Sequence, residues 1–264
     1  MEFGNVQVFN MHGALRGMRN PLASWDKSDS AFGVGIWDEV DQAIINEADE
    51  YCGAEHINPL DEESWDSAYT EYKEWFWKNG VGLFGGGEHS QEYALIGPKD
   101  MNLAKRLIAA GPEHRKFLRQ IFVTIDITAP LYWWKEMDTY KLGTTANSTS
   151  TMHKLASTPI TMDCFETDDM DLQDLALDVR HELELNINFL EQLRQKYLET
   201  KDKRYWKELV RWLPEGWLQT RTWTANYEVL RNIYHQRKGH KLTEWQQFRE
   251  LIEQLPYAQE FICS

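Results

Sequence analysis

The segment Ile121–Leu155, IFVTIDITAPLYWWKEMDTYKLGTTANSTSTMHKL, constrains this chain more than any other stretch. Phe122 to Ile127 alternates β-branched and aromatic residues, the composition of a strand, and Ala129-Pro130 stops it. A Trp-rich helix is expected from about Leu131 to Leu142. Then come Thr144, Thr145, Asn147, Ser148, Thr149, Ser150 and Thr151, seven small hydroxyl or amide residues in eight positions. Such a run is a poor helix. It suits a solvated loop, or a surface that grips a polar ligand through short hydrogen bonds.

Composition narrows what that segment can serve. At 264 residues the chain is long enough for an ample core. With 42 % hydrophobic and 27 % charged residues it reads as globular. No stretch has the apolar length of a membrane span, and MEFGNVQVFN does not read as a signal peptide. The three cysteines lie far apart, which suits free thiols in a reducing compartment and offers no zinc spacing. A net charge of −14 excludes duplex nucleic acid as a partner for the body of the protein, because phosphates are repelled. An anionic small molecule stays open where basic residues converge locally.

Read in order, the chain opens with a strand at Val6–Phe9. Residues 31–99 are acidic and aromatic, with helices expected over Asp38–Tyr51 and Asp61–Lys78, and Asp61 or Ser64 as cap. GVGLFGGGEHS lacks the ending of a phosphate loop and reads as a turn. Asp100–Ala110 is a helix stopped by Gly111-Pro112. His114, Arg115, Lys116 and Arg119 form a local basic cluster or a solvated charge face. Ile160–Phe165 reads as extended. Leu172–Leu198 carries Leu183, Ile187, Leu190, Leu193 and Tyr197 at helical spacing, a core or interface helix. A helix at Tyr205–Trp212, a strand at Leu218–Thr224 and helices at Asn226–Gln236 and Thr243–Leu255 complete the chain.

Two blocks resemble the flavin-dependent thymidylate synthases. The family's central Arg-His-Arg-x-x-Ser-x-Asn-Glu-x-Ser-x-Arg-Tyr signature follows a strand, an Ala-Pro-like break and a helix. Placed without gaps it falls on Thr139–Met152. Lys141 then stands at the second Arg, Thr144 at the first Ser, Asn147 at the Glu and Thr149 at the second Ser. Thr139, Tyr140, Thr151 and Met152 replace the first Arg, the His, the last Arg and the Tyr. Lys135 and Glu136 stand where the family tends to have an Arg-Gln pair. The second block, LPEGWLQTRTWTANYEVLRNIYHQR, matches at Leu213-Pro214, Trp223, Thr224, Asn226, Asn232 and Arg237, and Trp245 fits a further family Trp. Glu228 occupies the place of a flavin-contacting Arg. Residues 31–99 find no counterpart.

The resemblance implies an α/β (α+β) fold, a central mixed sheet flanked by helices, in one domain over 1–264 with 31–99 as an insertion. It implies a homotetramer whose sites lie where subunits meet, and a cytoplasmic place in a bacterial or virus-infected cell. It assigns Lys135, Glu136, Lys141, Thr144, Asn147, Thr149 and Arg237 to a nucleotide, and His114, Arg115, Asn226 and Asn232 to FAD. The expected function is nucleotide binding, with reduced flavin modifying a pyrimidine nucleotide if the chain is an enzyme. The alternative is a binding protein that sequesters a nucleotide or a nucleotide-derived signal, as a viral sponge would. A third reading makes the acidic, aromatic insertion an interaction surface. Losing two arginines removes the strongest contacts to a phosphate, so the expected ligand is nucleotide-like but differs from deoxyuridine monophosphate.

The long amphipathic helix, together with the resemblance, predicts a homo-oligomer, and the Trp133-Trp134 segment is expected to add apolar surface to it. Light scattering at micromolar concentration should return about four chain masses. A monomer mass would remove the shared-site arrangement.

Overall fold

A computed structural model describes residues 1–82, 91–168, 170 and 178–264. The expected glycine-rich turn at 80–90 lies mostly outside these residues, as do positions 172–177 of the expected long helix. The elements are β1 (Glu2–Phe9), α1 (Met11–Met18), β2 (Ala31–Gly35), α2 (Trp37–Ala54), α3 (Glu62–Gly80), β3 (Gln91–Leu95), α4 (Pro98–Ala109), β4 (Phe122–Pro130), α5 (Leu131–Met137) and β5 (Thr145–Ser148). They continue with α6 (Thr151–Lys154), α7 (Val179–Thr200), α8 (Lys203–Trp212), β6 (Leu218–Asn226), α9 (Tyr227–Gln236) and α10 (Thr243–Glu253). Strands β1, β4, β6 and β5 hydrogen-bond in that order, and β2 pairs antiparallel with β3. Sheets flanked by helices make this the expected α/β architecture.

The chain divides into two compact units. The first comprises Met1–Gly4, Asp126–Lys141 and Thr145–Trp223; the second comprises Asn5–Ile125, Leu142–Thr144 and Thr224–Ser264.

In the first unit, α5 begins where proline ends β4. Two of its first-turn N–H groups are satisfied from outside the helix: Leu131 donates to the Trp217 carbonyl and Tyr132 to that of Glu215, each at 3.1 Å. Trp133 and Trp134 are fully buried, and Trp134 Nε1 donates to the Gln219 carbonyl at 2.9 Å. The expected apolar assembly surface at these residues is therefore core. The helix also stops earlier than expected. The Thr139 hydroxyl donates to the Glu136 carbonyl at 2.7 Å, competing with the helical ladder, and Gly143 turns the chain at φ +76°. Ile160–Phe165 is not extended throughout: Met162–Cys164 is a 3₁₀ turn, and only Phe165 pairs as a strand residue, with Trp217.

α7 and α8 follow as a hairpin. Lys201 adopts the left-handed conformation at φ +57°, and the Asp202 side chain caps α8. Ile187 and Leu190 of α7 pack in one cluster with Leu209, Trp217, Leu155 and Phe165. The buried Arg194 forks onto Glu191 at 2.7 and 2.6 Å, and Glu191 also accepts the Ile160 N–H at 3.0 Å. The Arg194 contact, foremost, holds the Glu191 carboxyl down to about 2.

In the second unit, β2 and β3 are strands that sequence periodicity misses. Gly33 lies opposite Tyr93, and a methyl group there would come within 2.6 Å of the Tyr93 hydroxyl. The glycine that obscures the strand pattern leaves room for the Tyr93 ring across the pair. Tyr51 of α2 meets Tyr72, Trp75 and Phe76 of α3, with ring centroids 4.8, 5.6 and 5.6 Å away. Asp29 accepts the Lys99 and Asp100 N–H groups at the start of α4, at 2.8 and 3.0 Å. The buried Asp100 binds Arg19 at 2.5 Å and the hydroxyls of Ser28 and Ser30 at 2.6 and 2.7 Å.

Glu47 is also buried in this unit, and its Oε2 meets no hydrogen-bond partner. Burial, and then the charges of Asp29, Glu50 and Asp100, push its pKa from 4.5 to about 8. Between these two values the folded chain holds a proton that the unfolded chain has released, so this group's contribution to stability falls as pH rises through the window. Glu47→Gln mimics the protonated form at every pH. Thermal melts should give the variant and the parent similar Tm near about pH 5, and the variant a Tm several degrees higher near about pH 8.5. An identical Tm difference at both pH values would show that Glu47 does not titrate in that window.

Candidate functional site

The hydroxyl run that the sequence marks as loop or ligand surface is a strand. Residues Thr145–Ser148 form β5, the edge strand beside β6, and all four are exposed. Its continuation is fastened through the backbone: Thr149 N donates to the Thr220 carbonyl at 2.9 Å, and Gln219 Nε2 donates to the Thr149 carbonyl at 2.9 Å. The same amide reaches the Thr151 hydroxyl at 3.1 Å. The side chains of Thr145, Asn147 and Ser148 make no hydrogen bond to a described residue, whereas Ser150 caps α6 by accepting the His153 N–H at 3.3 Å and Thr151 is taken by Gln219.

Arg221 stiffens this edge. Its guanidinium lies 4.2 Å from the centroid of the Trp134 ring, with Nε on Gln219 Oε1 at 2.9 Å and Nη1 on Asp138 Oδ1 at 2.7 Å. Sequence reasoning missed Gln219, Arg221 and Asp138. The available signal was the alternation in LQTRTWT, which puts Gln219 and Arg221 on one face of β6 and the threonines on the other. Those threonines pair across to β4: Thr220 with Thr128 at 2.7 Å, Thr222 with Asp126 at 2.6 Å, and Thr224 with Thr124 at 3.0 Å.

The other nucleotide candidates of the first unit lie near the end of α5. Lys135 is exposed and paired with Glu215 at 2.5 Å. Glu136 is half-buried, and Lys141 is exposed with no ion pair to a described residue.

In the second unit the candidates group around α9. Asn226 is buried as the N-cap of that helix, its Oδ1 accepting the Val229 N–H at 3.0 Å. Glu228, in the first turn, takes both arms of Arg115, Nε at 2.8 Å and Nη2 at 3.1 Å. A carboxylate there suits the positive end of the helix. His114 and Asn232 are exposed. Arg237 sits past the far end of this ten-residue helix, about 15 Å from Asn226, its guanidinium 4.3 Å from the Trp245 ring centroid. Thr144 is half-buried. Asn226, Glu228 and Arg115 thus come together, while Arg237 stands apart from them. Arg231 on the same helix is structural, donating to the Ile262 carbonyl at 2.9 Å.

Among the described residues, no group of three His, Cys, Asp or Glu side chains is placed to hold a metal ion, and no helix is long and apolar enough to cross a membrane.

No family model matches the chain, and no curated protein matches it. A crystal structure of the flavin-dependent thymidylate synthase of Helicobacter pylori, complexed with FAD and dUMP, is similar at 19 % identity, covering 62 % of this chain and 83 % of that one, with a TM-score of 0.48. A second crystal structure, of thymidylate synthase X from Helicobacter pylori with FAD and dUMP, is similar at 18 % identity over 63 % and 82 % of the respective chains, again with a TM-score of 0.48.

The cap role of Asn226 is separable from any ligand role. Asn226→Ala should cost about 1 kcal/mol, a fall in Tm of about 2–4 °C, whereas Asn226→Asp should keep the cap and stay within about 1 °C of the parent. Equal losses in both variants, by calorimetry, would show that capping is not what Asn226 contributes.

Proposed function

We propose that this chain binds a pyrimidine-nucleotide-like anion, on the plan of the flavin-dependent thymidylate synthases that its sequence resembles. The observation that carries the reading is β5, an exposed edge strand whose Thr145, Asn147 and Ser148 side chains make no hydrogen bond to a described residue. Short hydroxyls and amides on a fixed backbone suit the hydroxyl, carbonyl and phosphate oxygens of a nucleotide. Lys141, exposed and in the same unit, supplies a cation, and the resemblance groups it with Asn147 and Thr149. The resemblance also assigns Lys135 and Glu136, in the first unit, and Thr144 and Arg237, in the second, to the nucleotide.

FAD, the cofactor of the resemblance, fits the candidate residues poorly. Asn226 spends its carbonyl oxygen on the helix cap, and Glu228 neutralises Arg115 with a bidentate contact. A pyrophosphate gains little from Arg115 until that pair opens, and it meets the Glu228 carboxylate when it does. His114 and Asn232 remain as exposed polar groups. The proposal is therefore a binding function, with no flavin step attached to it.

Mass spectrometry of small molecules carried through purification names the ligand class, and calorimetry against a panel of pyrimidine nucleoside monophosphates measures it. Lys141→Ala and Arg237→Ala should each weaken binding by more than tenfold, as the loss of a charged partner costs about 2–5 kcal/mol. Lys238→Ala, an exposed neighbour, is expected to be neutral. Glu228→Gln should leave nucleotide affinity unchanged while raising that for FAD. Identical affinities across the parent, Lys141→Ala and Arg237→Ala, or no binding at millimolar nucleotide, would overturn the reading. Tight stoichiometric FAD in the parent would overturn the account of Glu228.

A further inference from the structure

The stretch 31–99, which has no counterpart in the resemblance, supplies part of the wall of a cavity. Within the second unit, α2, α4 and the segment from the end of α1 line an open groove of about 930 Å³, a volume typical of small-molecule sites. The lining is largely apolar and aliphatic, with Leu22, Leu103 and Leu107 prominent. Besides Arg19, which pairs with Asp100, three cations line it: Lys27, Lys99 and Arg106. None of them makes an ion pair with a described residue. In a chain of net charge −14, three unpaired cations around one apolar cavity are a local reversal of sign.

The walls are tied in place. Asp100 at the start of α4 grips Arg19 with one oxygen and the hydroxyls of Ser28 and Ser30 with the other. This fixes the segment after α1 against α4, so the cavity needs little reorganisation on binding. Arg19 is thereby spent, and Asp29 already occupies the N–H groups of the first α4 turn. An incoming anion is left with the side chains of Lys27, Lys99 and Arg106. Asp49 and Glu50 of α2 also line the cavity and disfavour a second negative group.

We infer that this cavity is a second binding site, separate from the hydroxyl run, for a small organic monoanion with an apolar body. The carboxylate or sulfonate head meets the three cations, and the body covers the leucines. The acidic residues of α2 select against polyanions such as nucleoside triphosphates.

Calorimetry at low salt, where charge contacts are least screened, tests this with octanoate and 1-naphthoate as anionic probes and 1-naphthalenemethanol as the neutral one. At least one anion should bind the parent, and more tightly than the neutral probe. Lys99→Glu combined with Arg106→Glu should weaken that anion by at least tenfold and change the neutral probe by less than about twofold. Both positions are exposed, and a thermal melt checks the fold. Lys27→Glu alone provides a milder variant, with a smaller loss in the same direction. Lys141→Ala should leave the probes unaffected, and a pyrimidine nucleotide should not displace them. Failure of both anions at millimolar concentration, equal anion affinity in the charge-reversed variant, or displacement by nucleotide would each overturn the inference. Loss of nucleotide binding in Lys141→Ala with anion binding intact separates this site from the nucleotide reading.

Discussion

The Tyr257 hydroxyl is the joint on which the second unit depends. It donates to the Ala94 carbonyl at 2.6 Å and accepts the Ile96 N–H at 3.2 Å, so one side chain from the C-terminal region closes the end of β3. Its own N–H is held by Asn79 Oδ1 of α3 at 3.0 Å, and its ring meets Trp75 at 5.2 Å. Tyr257 achieves this in a left-handed backbone conformation, φ +54°, which a non-glycine residue adopts only where its surroundings compensate. Burial raises its pKa well above the ordinary value, which keeps the hydroxyl protonated and able to donate. The acidic, aromatic stretch 31–99 is thereby tied to the end of the chain as part of one core. Tyr51 adds a parallel tie, donating to the Ile96 carbonyl at 2.9 Å.

Much of the fold was legible because its elements carry ordinary local signals. Phe122–Pro130, Lys203–Trp212 and Tyr227–Gln236 fall close to where alternation, helical spacing and proline or asparagine boundaries put them. What escaped detection depends on partners distant in sequence. β2 and β3 are brief and glycine-bearing, and their pairing spans some sixty residues that no local pattern connects. β5 has the composition of a loop and is a strand because β6 presents a hydrogen-bonding edge to it. The tryptophans of α5 looked like assembly surface because their number says nothing about which face is covered; the Gln219 carbonyl and Arg221 account for one of them.

The candidate site was legible as a set of residue types and less so as an arrangement. The matched asparagine at 226 is a helix cap, a role that its place just before a helix also announces. Glu228 stood out as a charge reversal, but nothing local identified Arg115, more than a hundred positions earlier, as the residue it neutralises. Glu228 and Arg115 are therefore one ion pair, and neither offers its charge to a ligand while the pair is closed. Arg221 shows the converse: a cation absent from the matched motifs organises the edge by stacking on Trp134 and bridging to Asp138.

The short β5 edge also bears on how the chain behaves toward other copies of itself. A terminal strand offers its outer N–H and C=O groups to any extended peptide, and sheets with bare, apolar borders seed intermolecular pairing. Here that border is four residues long and carries Thr, Ala, Asn and Ser, with no large apolar side chain to cement a misplaced strand. The composition that leaves hydrogen-bonding groups unspent also keeps the rim from becoming a template for fibrils. Drift of Thr145 or Asn147 toward valine or isoleucine would therefore be opposed by colloidal behaviour in a crowded cell.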